Sequence, residues 1–575
     1  MNNILNYIAI KNLINNPSLN KYFYPSPSSL NTIPDNCFGV FVTVKRSFID
    51  KTTTTDIHGC IGYWDKDFSA MSKENLFEKI QSVGYSAFNT DSRKEQFDII
   101  TKDPNAILEI SFMMLPIYAI NEENGAIIKS ESRKGNNKGN NKANANPMFF
   151  SNEEYGLIVY HGNKKATYLP KVFENTNWKT IKERLIRKAD SRENENNVIP
   201  RFFAYKTLVY EIHLYKIMET MKPIIISNFL SFNQKYYSDF VPYEYDKTKN
   251  MIHIDKQQYV RNNATMYDIL RSINYVKKHY TRKNKNTKKN TNFKKNTNFK
   301  KNKNTKKNTN FNKNTKYEKI LNKIYKNSQY YYNIFIDEKE RINESMRQAA
   351  AFLLLTLSYK NQVLRGFNTN TKSNSNLNSN KIGVICDYLI NELEKGVLEP
   401  EFERGEILIA INNSCRHKEN LNDIMIKHIN NIYNELKEMN SSSSNIFRLN
   451  WEAKTLHAFF SNKREKNTKT KTNMEIKTIA SKILELVIEY IEAQNIAKKN
   501  TNYLAVSFEA LTSLIYILDE EKKIKQLQAK DLQFYCFCLL QKYYDPSIGL
   551  YYFKDNKTAR LDITGHVISG LLAMH

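Results

Sequence analysis

Cysteine is scarce and scattered: Cys37, Cys60, Cys386, Cys415, Cys536 and Cys538 are the six in 575 residues. None lies in a CxxC pair, and no Cys/His cluster has zinc-finger spacing. Neither a disulfide framework nor a structural zinc site is therefore expected, and a reducing compartment fits. Cys536 and Cys538 stand two apart in a stretch of helical pattern, point in different directions and read as core. Long apolar runs are missing as well. No stretch reaches the length of a membrane span, and the opening MNNILNYIAIKNLINN lacks a basic region, an apolar run and a small-residue cleavage site. The expectation is a cytoplasmic or nuclear protein that meets no membrane, with no metal and no cofactor demanded by its residues.

Acidic residues are absent from Arg282 to Lys316, where fourteen basic residues stand. The formal net charge is +27, and this one segment carries about half of it. Such a charge points to an acidic partner such as nucleic acid, but its concentration in one tract weakens the inference for the rest of the chain. The tract 281–316 repeats KKNTNF at 288–293, 294–299 and 306–311. With few apolar residues to offset its ordering entropy, it is expected to be a disordered insertion. Its three phenylalanines could stack on bases, so a nucleic-acid-binding arm stands beside a composition-driven surface insertion. Shorter tracts of the same kind lie at 133–146, 368–380 and 466–473.

The remaining sequence divides in two. Residues 35–215 mix periods. Phe38–Lys45 and Leu108–Ile120 read as buried strands, and Gly156–Tyr160 and Ala166–Leu169 flank the turn His161-Gly162-Asn163-Lys164. Leu76, Ile80, Val83 and Ala87 recur at helical spacing, as do Trp178, Ile181 and Leu185. This predicts an α+β domain after an N-terminal extension, 1–34. Residues 216–340 form an intermediate region holding the 281–316 insertion, with short strands expected at Pro223–Ile226 and Met251–Ile254 and a helix near 265–279. From about 317 the pattern is helical, with roughly ten helices expected. An antiparallel helical-hairpin array over 341–575 follows.

The chemistry-bearing motif is Ile57-His58-Gly59-Cys60-Ile61-Gly62. Glycines on either side of a cysteine allow a tight turn or a close approach. If the backbone is extended, residues 58 and 60 project to the same side. His58 could then take the thiol proton or, protonated, stabilise a thiolate nucleophile. The alternative is that Cys60 packs as a small hydrophobe and the glycines serve only the turn.

Several landmarks accompany it in order: Gly39-Val40-Phe41-Val42-Thr43, Ala87-Phe88, Asp91-Ser92-Arg93, Leu108-Glu109-Ile110-Ser111, Tyr155-Gly156-Leu157-Ile158-Val159, Ala166-Thr167-Tyr168-Leu169-Pro170 and Arg187-Lys188-Ala189. Together they resemble the AMME chromosomal region domain, whose signature is Arg-Gly-Cys-Ile-Gly after a Gly-Val-Phe-Val-Thr strand. The resemblance implies an α+β fold over 35–215. It also places Asp91 and Arg93 among the family's characteristic residues, as candidates to orient Cys60 and His58 or to bind a charged substrate. The family's motif arginine is His58 here. A guanidinium is permanently charged and an imidazole largely neutral near pH 7, which weakens an anion-binding role at that position.

Near the C-terminus, Tyr543-Tyr544-Asp545-Pro546-Ser547-Ile548-Gly549-Leu550-Tyr551-Tyr552-Phe553 precedes Arg560-Leu561-Asp562-Ile563-Thr564-Gly565-His566. A helix, a short D…G.YYF loop and another helix resemble the α/α-toroid proteins, which include six-hairpin glycosidases and sugar epimerases. That resemblance implies polar and acidic residues at inner helix ends facing a cavity. Glu452, Glu509, Asp562 and His566 are the candidates, with Asp562 also placed to cap its own helix.

Three functions stay open. One is a modifying enzyme, or enzyme component, using the Cys60 thiol. Another is a non-catalytic regulatory factor whose basic arm binds nucleic acid or protein. The third is a carbohydrate-active toroid with an accessory first domain. Substrate and oligomeric state are not specified by these patterns.

Overall fold

The computed structural model describes residues 1–46, 57–93, 103, 105–128, 148–151, 153–172, 176–189, 199–291, 308–338, 344–365, 372–396, 398, 404–415, 421–439, 445–464, 471–493, 501–518, 523–553 and 557–574. They form two units, Met1–Ile217 and Met218–His575. The tract 133–146 lies outside the described residues.

In the first unit an antiparallel sheet runs in the order β2-β1-β3-β8-β6-β7. Its strands are β1 (Cys37–Lys45), β2 (Ile57–Trp64), β3 (Ile107–Ile120), β6 (Gly156–His161), β7 (Lys164–Tyr168) and β8 (Arg201–His213), with the short β4 (Ala126–Ile128) and β5 (Met148–Phe149) added beyond β3. β1 is buried along nearly its whole length, as a strand covered on both faces must be. One cover is α4 (Lys73–Asn89), capped at Ser72, which buries the expected Leu76, Ile80, Val83 and Ala87 against β1 and β2. α5 (Trp178–Lys188) packs Ile181 and Leu185 onto Tyr155, Leu157, Val159 and Phe202.

The first 34 residues are helical and packed. α1 (Asn2–Ala9), a π-helical turn (Ile10–Ile14), α2 (Pro17–Phe23) and α3 (Pro27–Leu30) pack on α4 and the sheet. Ile4, Leu5, Ile8 and Leu13 are fully buried, each stabilising by roughly 1.5–3 kcal/mol.

The second unit begins with α6 (Lys216–Tyr236) and contains twelve helices among the described residues. They alternate between an inner ring and an outer layer. The inner helices are α7 (Tyr259–Thr291), α9 (Glu344–Arg365), α11 (Arg404–Ser414), α13 (Ile446–Arg464), α15 (Thr501–Ile517) and α17 (Leu561–Ala573). Each packs on the next, and α17 packs back onto α7, which closes the ring. Between them come α8 (Asn308–Glu338), α10 (Lys372–Lys395), α12 (Leu421–Glu438), α14 (Lys471–Ala493) and α16 (Lys523–Gln541). α15 and α17 are buried on nearly every side, as helices covered on both faces must be. No described helix is long and apolar enough to cross a membrane.

Several expectations are corrected here. Helix runs from 216 rather than 341: the intermediate region holds α6 and supplies two helices of the ring, α7 and α8. Pro223–Ile226 is not a strand but lies inside α6, where Ile225, Ile226, Phe229 and Leu230 are buried. Tertiary burial outweighs the lost hydrogen bond of an internal proline. Helix enters the Lys/Asn-rich tract from both sides, to Thr291 and from Asn308, because extending a nucleated helix is far cheaper than starting one. Residues 292–307 lie outside the described residues. The tract at 368–380 is helical from Lys372 onward, and that at 466–473 from Lys471. Cys386 of α10 and Cys415 after α11 form a disulfide across 29 residues, so the cysteine spacing concealed one covalent link. Cys536 and Cys538 are buried, as read.

Two small sheets decorate the ring. β9 (Glu244–Asp246) pairs with β10 (Met251–His253) and with β13 (Thr558–Arg560), which leads into α17. The D…G.YYF loop is a hairpin of β11 (Tyr544–Asp545) and β12 (Leu550–Tyr551), with Gly549 at φ +74°.

Candidate functional sites

Cys60 sits on β2, an edge strand, directly across from Thr43 of β1, which faces Glu109 of β3. Thr43 Oγ1 donates to its Sγ at 3.1 Å. On the open side, the Cys60 amide donates to Asp91 Oδ2 at 2.9 Å, and Arg93 Nη2 donates to the Cys60 carbonyl at 3.1 Å. Arg93 also grips Asp91, from Nε at 3.0 Å and Nη2 at 2.8 Å. The Asp91–Arg93 pair thus supplies the acceptor and donor that a neighbouring strand would have supplied. Its ion pair holds the buried Asp91 carboxyl down at about 2, against a smaller upward effect of burial.

Burial raises the Cys60 thiol, and the Thr43 bond, Arg93 and Lys188 offset only part of that. At neutral pH the group is a thiol. Lys188, itself lowered by burial, donates to the Thr167 carbonyl at 2.8 Å.

His58 is not beside Cys60 on that face. The register breaks between Val44 and Lys45: Gly59 pairs with Val44 and Ile57 with Lys45, leaving His58 as the bulged residue. Its ring is buried and bonds the backbone of Phe88 in α4, and burial, with Arg46, lowers its pKa. Gly59 faces the same helix so closely that a Cβ would stand 1.9 Å from the Ala87 carbonyl oxygen. Close approach, rather than a reactive turn, is what this glycine permits.

The second unit encloses a cavity of about 880 Å³ in the bore of its ring, lined from all six inner helices. Its charged and titratable lining comes from α7 (Arg261, Asp268, Arg271), α11 (Glu406), α13 (Lys454), α15 (Glu509) and α17 (Asp562, His566). Glu509 is buried and fully engaged. Lys454 Nζ lies 2.6 Å from Oε1, while Asn450 Nδ2 (2.9 Å) and His566 Nδ1 (2.8 Å) meet Oε2. Burial would raise this carboxyl, but Lys454 and His566 outweigh it and hold it well below the usual carboxylate range. Asp268 is pushed the other way. Burial lifts it to about 7, Glu509 adds to the rise, and Arg271 offsets part of it. Trp451, Phe352, Tyr267 and Tyr516 supply aromatic surface to the same cavity.

The ring therefore brings together Glu509, Asp562 and His566 but not Glu452. Glu452 is buried among Arg448 (2.9 Å), Arg404 (3.5 Å) and the Glu435 they share, away from the cavity lining. Asp562 lines the cavity and is gripped by Arg560; it does not cap its helix, because the N-cap position is Arg560 and Asp562 sits inside the first turn, accepting from the next amide, Ile563 (3.0 Å). Asp268, Lys454 and Asn450 were missed. Asp268 lies in the helix expected near 265–279 but carries no motif, and Lys454, three residues after Trp451, had no partner visible in sequence. Among the described residues no group of His, Cys, Asp and Glu is arranged to hold a metal ion.

Residues 7–209 match the family model AMMECR1. The first unit therefore carries the domain that its motifs resemble, and the match begins inside the N-terminal helices. No curated protein and no solved structure matches the chain.

Proposed function

With an AMMECR1 domain as its first unit, we propose that the chain is a carbohydrate-active enzyme whose chemistry lies in the helical ring, the AMMECR1 domain being accessory. One observation carries the reading: two acids facing a single cavity are held in opposite protonation states, Asp268 near 7 and Glu509 ionised. Environments that push paired titratable groups apart assign an acid and a base.

Asp268, carrying its proton, is the donor to a departing or ring oxygen. Glu509 orients His566 through Nδ1, leaving the opposite nitrogen of the imidazole to accept a proton, as a base held by a third group does. Aromatic faces beside these groups suit the apolar face of a sugar ring. The reaction class is acid–base chemistry on a sugar, hydrolysis or epimerisation.

The test is turnover of a panel of mono- and disaccharides by the full chain, followed by proton NMR. Asp268→Asn should lower the rate on any substrate found by about 10²–10⁴-fold, the usual worth of a positioned acid. An unchanged rate in that variant refutes the assignment.

The Cys60 thiol has less support as a nucleophile. It is protonated by burial, and His58 is engaged with α4. Its alkylation behaviour is the readout that would favour it.

A further inference from the structure

Two arginines of α7 face the cavity with their carboxylate partners standing at or beyond the outer limit of a hydrogen bond. Arg261 lies in the first turn, and Arg271 stands ten residues on, about 15 Å along the axis. Arg261 Nε is 3.5 Å from Asp562 Oδ2, at the outer limit of a hydrogen bond. That carboxylate is already held at both oxygens by Arg560. Arg261 otherwise bonds the Tyr243 hydroxyl, a neutral partner. Arg271 donates to Ser569 Oγ at 2.9 Å, while its nearest carboxylate, Asp268, stands off at 3.6 Å. Lys454 makes the contrast, since it touches Glu509 at 2.6 Å. The wall from α9 is apolar through Ala351, Phe352 and Leu355 apart from Gln348, and that from α11 sets Glu406 and Asn413 beside Ile409, so the arginines of α7 are where an anion would seat.

We propose that the cavity binds a ligand bearing an anionic group, a carboxylate or a phosphate ester, seated on Arg271, with Arg261 drawing it in at the first turn. This rests on the carbohydrate reading for the rest of the ligand. A guanidinium fork matches either anion with two parallel bonds. The side chain of Arg271 keeps 19% of its surface, enough to be reached and little enough for its charge to act in a poorly hydrated site. Asp268 Oδ1 stands 3.6 Å from Arg271 Nη1, too far for the short fork a bound anion would make with the same guanidinium. Arg261 is the more exposed of the two, with 37% of its side-chain surface open, and an exposed cation raises the association rate of an anion in a salt-dependent way.

The test uses the full chain and isothermal titration with D-glucuronate, D-glucose 6-phosphate, D-glucose and inorganic phosphate. At least one anionic sugar should bind ten times or more tighter than glucose, and whichever does so identifies carboxylate or phosphate ester. Arg271→Gln should abolish that preference, and Arg261→Gln should slow association at low salt while leaving it nearly unchanged at high salt. Equal binding of glucose and both anionic sugars overturns the proposal and leaves the carbohydrate reading standing. Binding of phosphate with no sugar supports the anion seat and overturns the carbohydrate reading. No binding of any anionic probe overturns the proposal. Should Arg271→Gln fail to fold, the wild-type preference for charged over neutral sugar, and its decline with salt, decides.

Discussion

Replacing Lys454 by methionine removes the cation that touches Glu509 while keeping most of the side chain's volume. Glu509 has 2% of its side-chain surface exposed and would keep Asn450 and His566 as partners. Leaving a buried carboxylate without its cation costs about 3–5 kcal/mol. The reciprocal change, Glu509→Gln, should cost less, because Lys454 retains 19% of its surface and faces a cavity where water can solvate it. The double variant Lys454→Met, Glu509→Gln should recover part of the loss of Lys454→Met alone, since no buried charge is then unpaired. Urea unfolding followed by tryptophan emission reads this, with Trp64→Phe and Trp178→Phe in the background so that Trp451 alone reports the ring. The pH dependence supplies a second check. Glu509 is held below its unfolded value, so in the wild type its contribution is present above about pH 4 and is lost as pH falls toward the folded value. In Lys454→Met, acidification should cost less stability or restore some, because protonation relieves the unpaired charge. A loss under 1 kcal/mol in Lys454→Met, or equal losses in the two single variants, would refute the reasoning.

Other consequences lie in the AMMECR1 domain. Gly59→Ala drives a Cβ into the Ala87 carbonyl oxygen, and as overpacking it should destabilise the domain by about 1–3 kcal/mol or more; a neutral effect on thermal unfolding contradicts the close approach. Asp91→Asn removes the ion pair at the sheet edge and should cost about 1–2 kcal/mol at pH 7, discounted for the partly exposed Arg93. Because Asp91 is depressed, that contribution is complete above about pH 4 and fades as pH falls toward 2, so wild type and variant should converge in acid. Cys60 should alkylate slowly below pH 8.5, with Cys60→Ser as control; fast labelling at pH 7 would reinstate the nucleophile. Deleting 281–316 and comparing RNA affinity at several salt concentrations decides the nucleic-acid reading. An affinity that is flat in salt and unchanged by the deletion removes it.

Much of the first unit was legible because its core residues recur at the periods of the elements they occupy. Leu76, Ile80, Val83 and Ala87 mark α4 without help from the rest of the chain. His58 was misplaced because alternation assumes an unbroken register, and a bulge moves a side chain without any signature in the motif itself. The helices of the ring could be read singly, but its closure could not, since α17 meeting α7 joins residues some 300 apart. The same long separation hid the site. Asp268 gains its meaning from Glu509 and Arg271 around it, and a single aspartate among the buried Met266, Ile269 and Leu270 of α7 shows nothing of that in sequence. The disulfide was hidden for the same reason, Cys386 lying on α10 and Cys415 just after α11 with no motif around either.

The central claim is that Asp268 is a cavity acid poised to give up a proton while Glu509 beside it is already ionised. Infrared difference spectra of the carboxyl stretch, wild type minus Asp268→Asn across a pH titration of the full chain, measure this most directly. The account predicts a protonated carboxyl signal that belongs to Asp268 and disappears about pH 7. A midpoint near 4, the ordinary value for an aspartate, would contradict it.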